Sequence, residues 1–66
     1  MMPSSVISYY HYDAAAKTLI ITFVSGIVYQ YKNVPKAVYD RMKVVTSKGI
    51  FFNRFIKDKY EFEKVG

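Results

Sequence analysis

The chain has no cysteine, and its 66 residues include a single histidine, three glycines and two prolines. Without cysteine there is neither a disulfide framework nor a thiolate zinc site, and nothing points to an oxidising compartment, so the expected setting is a reducing cytoplasm. His11, with the acids Asp58, Glu61 and Glu63 of the tail, matches no zinc or calcium ligand spacing, and no metal or other cofactor is expected. Gly26, Gly49 and Gly66 are isolated, which excludes a glycine-rich phosphate loop. No apolar run approaches the ~18–20 residues of a membrane span, and the opening MMPSSV has neither a basic nor an apolar leader region. A soluble, unprocessed chain of one domain, residues 1–66, is expected.

Catalytic machinery is equally scarce. A general base or nucleophile must be held by a partner group, and the histidine route rests on His11 with Asp13 two positions along the same strand face. Ser5, Ser8, Ser25 and Ser47 have no partner that the sequence places. No motif with a mechanism is present, so a non-enzymatic domain is expected, with no small-molecule substrate.

Aromatic rings and positive charge are what the chain does have. A chain this short buries only about 60% of the surface its unfolded form exposes, so its core must be dense. Seven Tyr and five Phe supply that density, each buried ring hiding on the order of 150–250 Å². Ten Lys and Arg against five Asp and Glu leave a formal charge of +5. That balance suits an anionic partner, and it equally keeps an aromatic-rich domain in solution.

The segment Leu19 to Tyr31, LIITFVSGIVYQY, is where period-two alternation, β-branched and aromatic residues and a turn signal coincide. A tight loop at Ser25-Gly26 would mix Leu19, Ile21 and Phe23 with Gln30 and Lys32 on one face. A longer loop, Val24-Ser25-Gly26, with Gly26 at positive φ, pairs Phe23 with Ile27, Ile21 with Tyr29 and Leu19 with Tyr31. One face is then wholly apolar and aromatic. The other, with Thr18, Ile20, Thr22, Val28, Gln30 and Lys32, is the mixed surface of a sheet covered on one side.

Residues 5–13, SVISYYHYD, form a first strand, and Ala14 to Lys17 make the turn into the hairpin. Tyr10 and Tyr12 lean inward with Val6 and Ser8, while Ile7, Tyr9 and His11 share the outer face beside Lys32 and Gln30; aromatics on both faces make a bulge plausible here. Pro35 suits the first turn of a helix running to about Val45, with Val38, Tyr39, Met42 and Val45 inward and Lys36, Asp40 and Lys43 outward. Ser47 caps a second helix, from Lys48 to about Lys57. Phe52, Phe55 and Ile56 form its inward stripe, Asn53, Arg54 and Lys57 face out, and Phe51 sits partly exposed at the border. Gly49 permits close packing. The tail YEFEKV adds a short fourth edge strand or runs as an extension, its acids pairing with Lys57, Lys59 and Lys64. The expected fold is α+β, an antiparallel three-stranded meander with two short helices on one face.

With these residues in order, the chain resembles the KTSC domain family, found at the C terminus of some lysyl-tRNA synthetases and as stand-alone bacterial proteins. The resemblance runs from about Ser5 to Tyr60. It rests on Tyr12-Asp13, Leu19-x-Ile21-x-Phe23, Gly26, the central Tyr29-Gln30-Tyr31, Val34-Pro35, Ser47-x-Gly49, Phe52-Asn53, Ile56 and Tyr60. Val45, where a small Ala is usual, and Ile50, where a polar residue is, depart from the pattern and imply a bulkier helix contact and an extra exposed apolar patch. The resemblance fixes no function by itself, and its synthetase context suggests RNA as the partner.

Tyr29 and Tyr31 are the residues most readily cast as base-stacking rings, but the chosen register turns both toward the helices, as core tyrosines whose hydroxyls reach the rim, Tyr31 more than Tyr29. Asn53 is read as a cap or a bridge to the first helix. The candidates for a nucleic-acid surface are Lys32, Gln30 and Tyr9 on the open sheet face, and Lys48, Arg54, Lys57 and Phe51 on the second helix. Lys and Arg contact phosphates there, and Tyr9 or Phe51 stacks a base. The partner is then tRNA or single-stranded RNA. The competing reading is a protein-interaction or homo-oligomerisation module using Ile20, Thr22 and Val28 on the open face.

Overall fold

The central hairpin forms in the bulged register. In the computed structural model, which describes residues 7–66, strand β2 (Thr18–Phe23) pairs antiparallel with β3 (Val28–Tyr31), setting Leu19 opposite Tyr31, Ile20 opposite Gln30 and Ile21 opposite Tyr29. The loop closes with Gly26 N–H donating to the Phe23 carbonyl and Phe23 N–H donating to Ile27, both at 2.9 Å. Gly26 carries φ of 95°, a conformation that a side chain would strain.

Strand β1 (Ile7–Asp13) pairs with β2, with a register shift between Ile7 and Tyr9. This bulge corrects one expectation: Ile7 does not share the outer face with Tyr9 and His11 but packs against the core, because the extra residue at Ser8 reverses the alternation behind it. Ser8 is exposed, its hydroxyl donating to the Thr22 carbonyl. Ser5 and Val6, placed above in the first strand, lie outside the described residues.

The tail does form a strand. β4 (Phe62–Lys64) adds to β3, opposing Phe62 to Tyr31 and Glu63 to Gln30, and the sheet order is β1-β2-β3-β4. The α+β meander is therefore four strands with two helices on one face. Glu63 pairs across the sheet with Lys32, Nζ to Oε1 3.5 Å, and not with a lysine of the tail.

Helix α1 (Lys36–Val44) starts one residue later than read, with Pro35 outside it as the N-cap in an extended conformation. Helix α2 (Lys48–Phe55) is capped by Ser47, whose hydroxyl accepts from Ile50 N–H. Its inward stripe differs from the sequence reading. Phe51 is buried and Phe55 is 43% exposed, because α2 rests on α1 as well as on the sheet. The second neighbour draws Phe51 into the helix–helix seam, beneath the Arg41 guanidinium, 5.9 Å from its ring centre, and leaves Phe55 at the far border. Asn53 is exposed and caps neither helix. Ile50 is exposed, as its departure from the family pattern implied, and Val45 packs against the core.

Leu19, Ile21, Tyr31, Val34, Met42, Phe51, Phe52 and Ile56 are the buried core. At ~25 cal/mol per Å² of apolar surface removed from water, burying each such side chain stabilises by roughly 1.5–3 kcal/mol.

Candidate nucleic-acid interface

Charge is partitioned between the two layers. Between Lys36 and Lys59, the segment of the helices, lie seven basic and two acidic side chains, a net of +5. The remaining three basic residues, Lys17, Lys32 and Lys64, are matched by Asp13, Glu61 and Glu63. The whole excess of positive charge therefore sits on the helical segment, and the charges of the strands and their turns sum to zero. Counting charge by element would have revealed this in the sequence.

The predicted site residues fall on opposite sides of the molecule. Lys32 belongs to the sheet face, where Glu63 offsets its charge and Glu61 neighbours it through a backbone bond of 2.8 Å. Tyr9 is 60% exposed on the same face, but it lies in the row of Thr22, beyond which comes Val28. It is not beside Lys32 and Gln30, because β2 separates β1 from β3. Ile20, Thr22 and Val28 on this face are half-buried.

Arg54 and Lys57 are exposed on the helical side, Arg54 in the last turn of α2 and Lys57 in the turn that follows it. Two other candidates on that helix are corrected. Lys48 is turned inward, its Nζ donating to the carbonyls of Val45 at 2.8 Å and Lys43 at 3.4 Å, where it satisfies the open C-terminus of α1 and complements its dipole. Phe51 is buried and has no face free to stack a base. On α1, Lys36 and Lys43 both pair with Asp40, at 3.1 and 3.2 Å. The hydrogen bonds from these two ammonium groups hold the Asp40 carboxyl below its usual range. Arg41, exposed on α1 and over the rings of Phe51 and Phe55, and Lys59 beyond α2 were missed. With Arg54 and Lys57 they are the cations of the helical segment that, among the described residues, are exposed and form no ion pair.

A cleft of about 260 Å³ opens where β3 and β4 meet the end of α2. Its walls are the rings of Phe23, Tyr29, Tyr31, Phe52 and Phe62, and Lys57 and Asp58 stand at its edge. The rings meet edge to face: Tyr29 with Phe62 at 5.3 Å and Tyr31 with Phe52 at 5.4 Å. Tyr31 is 3% exposed and Tyr29 half-buried, the reverse of the expected order, because Phe62 of β4 and Phe52 of α2 close over Tyr31. Both tyrosines face the helices as read, yet they line an opening. Burial, reinforced by Tyr29 and Asp58, pushes the Tyr31 hydroxyl up from 10.0 to about 12. Nothing in the sequence marked this cleft, since its outer wall, Phe62, is placed by the β4 register that the sequence leaves open.

Among the described residues no group of three or more His, Asp or Glu is placed to hold a metal ion, and no helix is long and apolar enough to cross a membrane.

The KTSC domain model matches residues 3–60. The lysine–tRNA ligase of Nostoc punctiforme is 44% identical over 61 residues, 92% of this chain and 11% of the ligase, and that of Trichormus variabilis is 39% identical over the same shares. The chain thus spans about a tenth of the length of these relatives. A protein of Tsukamurella paurometabola is 35% identical over 86% of this chain and 85% of its own length. The crystal structure of a KTSC domain protein from Yersinia pestis superposes with a TM-score of 0.85 at 36% identity, over 91% of this chain and 84% of that one.

Proposed function

Because the chain belongs to the KTSC domain family, members of which stand at the end of tRNA-charging enzymes, we propose that it is a non-enzymatic, cytoplasmic accessory domain that binds RNA through its helical layer. The observation that carries this reading is the charge partition: a net of +5 on the helical segment against none on the rest. Arg54 and Lys57, with Arg41 and Lys59 beside them in the same layer, contact phosphates with little sequence preference. The lysine–tRNA ligase relatives support RNA as the anion. Lys32, offset by Glu63, and Tyr9 lie on the open sheet face and have no share in this surface.

Fluorescence anisotropy of labelled tRNA and of a single-stranded RNA, at low and physiological salt, tests the reading. Binding is expected to weaken steeply with salt, and the double variant Arg54→Glu, Lys57→Glu to lose about ten-fold or more in affinity with a shallower salt slope. Lys32→Glu is expected to change little. Unchanged affinity in the double variant removes this surface. Salt-insensitive self-association, abolished by Ile20→Lys, would favour instead an interaction module on the sheet face.

A further inference from the structure

The aromatic cleft offers chemistry that a phosphate-binding surface does not use. An RNA chain presents one kind of group that is flat and apolar on its faces and polar at its edge, the unpaired base, and proteins take such bases by ring contacts plus hydrogen bonds to the edge. The cleft is made of ring walls with two charged side chains at the rim, and among the described residues Lys57 and Asp58 form no ion pair with each other. At about 260 Å³ it lies just below the volume of pockets for drug-sized ligands, roughly 300–1,000 Å³. Its occupant is therefore one ring system.

Asp58 narrows the choice. Its backbone sits at φ of 63°, a left-handed conformation that a residue with a side chain adopts at a cost of order 1 kcal/mol. The turn thereby delivers a carboxylate to the mouth of the cleft, close enough to Tyr31 to oppose ionisation of its hydroxyl. An ionised carboxylate only accepts hydrogen bonds, through two oxygens side by side. Adenine and cytosine each offer one amino group beside a ring acceptor, and uracil offers one N–H between two carbonyls. Guanine alone offers two adjacent N–H donors, N1–H and the 2-amino group, on one edge.

We infer that the cleft takes a single unpaired guanine, one face against the half-exposed ring of Phe62, its N1–H and 2-amino edge on Asp58, and its phosphate toward Lys57. The inference rests on the RNA-binding reading above, with which it shares Lys57, and adds a base preference to it.

The test uses the full chain, two U-rich decamers carrying one central G or one central A, an all-uridine decamer, and the free nucleotides GMP and AMP. GMP is expected to shift the NMR amide signals of Tyr29, Asp58 and Phe62, and AMP to shift them less. The G decamer is expected to bind about ten-fold tighter than the A decamer, the size of one good bidentate contact to a base. Asp58→Asn, which keeps a residue tolerant of the left-handed turn, is expected to erase that difference while the all-uridine decamer binds at least as well. Phe62→Ser is expected to weaken both base-bearing decamers. Equal binding of the G and A decamers, with no GMP shifts in the cleft, overturns the inference; if that binding is still salt-sensitive, the basic surface stands without it. If no decamer binds even at low salt, the basic surface falls, and the GMP shifts decide the cleft alone.

Discussion

On the β1 side of the sheet, Tyr10, Tyr12 and Tyr39 form a closed cluster: Tyr12 stacks on Tyr39 at 4.9 Å, and its hydroxyl donates to the carbonyl of buried Val34 at 2.6 Å. Lys43 lies over Tyr39 and Lys48 over Tyr10. On the β3–β4 side, Tyr29, Tyr31 and Phe62 are just as aromatic but line an open cleft. The difference lies in what covers them. Helix α1 lies over the first cluster and brings a ring of its own, whereas α2 ends at Phe55 and the chain then turns away through Asp58. One residue type thus closes the core where a helix continues above it and builds a recess where the helix stops.

The strongest way to break this contrast is truncation on each side. Tyr12→Ala removes a stacked ring and strands the Val34 carbonyl, and is expected to cost about 3 kcal/mol. Phe62→Ala, at a side chain 53% exposed, is expected to cost no more than about 1 kcal/mol. Urea unfolding midpoints at unchanged m value measure both; equal losses would mean that the cleft side is core as well. Removing only a hydroxyl sharpens the comparison. Tyr12→Phe is expected to lose about 1 kcal/mol with its bond to Val34, and Tyr29→Phe less than about 0.5 kcal/mol.

The smallest effect at neutral pH comes from Tyr31. Its folded-state value of about 12 exceeds the ordinary 10.0, so between these the folded chain binds more protons than the unfolded one. This contribution to stability is present in full below about pH 10 and is lost as pH rises through about 12. Tyr31→Phe is expected to flatten that alkaline decline while leaving stability near pH 7 little altered. Ultraviolet titration of the phenolate band should show one tyrosine ionising after the others, and that late step is absent from the variant.

The sheet was legible from the sequence where alternation is strict. Leu19, Ile21 and Phe23 against Ile27, Tyr29 and Tyr31 allow one apolar face only if Gly26 bulges, and the register followed. In β1 the signal was ambiguous because tyrosines occupy both faces, and the bulge at Ser8 moved Ile7 inward. The helices were found, but the order of Phe51 and Phe55 was not. A helical stripe read against one neighbour misses the wider buried arc that two neighbours impose. Of the proposed surface, the exposure of Arg54 and Lys57 was legible from charge and helical face. Lys48 was misassigned because its partners are backbone carbonyls of another helix, which no side-chain pattern announces.

Strand β4 also bears on how the chain meets copies of itself. Among the described residues its outer edge pairs with no strand; it is three residues long, carries Glu63 and Lys64 and is preceded by Glu61. If two such edges zipped antiparallel about Phe62, Glu61 of each would face Glu63 of the other. Like charges set opposite each other disfavour the pairing, and a short strand offers few ladder bonds in return. The carboxylates that offset the lysines of the strand segments thereby also guard the sheet's edge against aggregation.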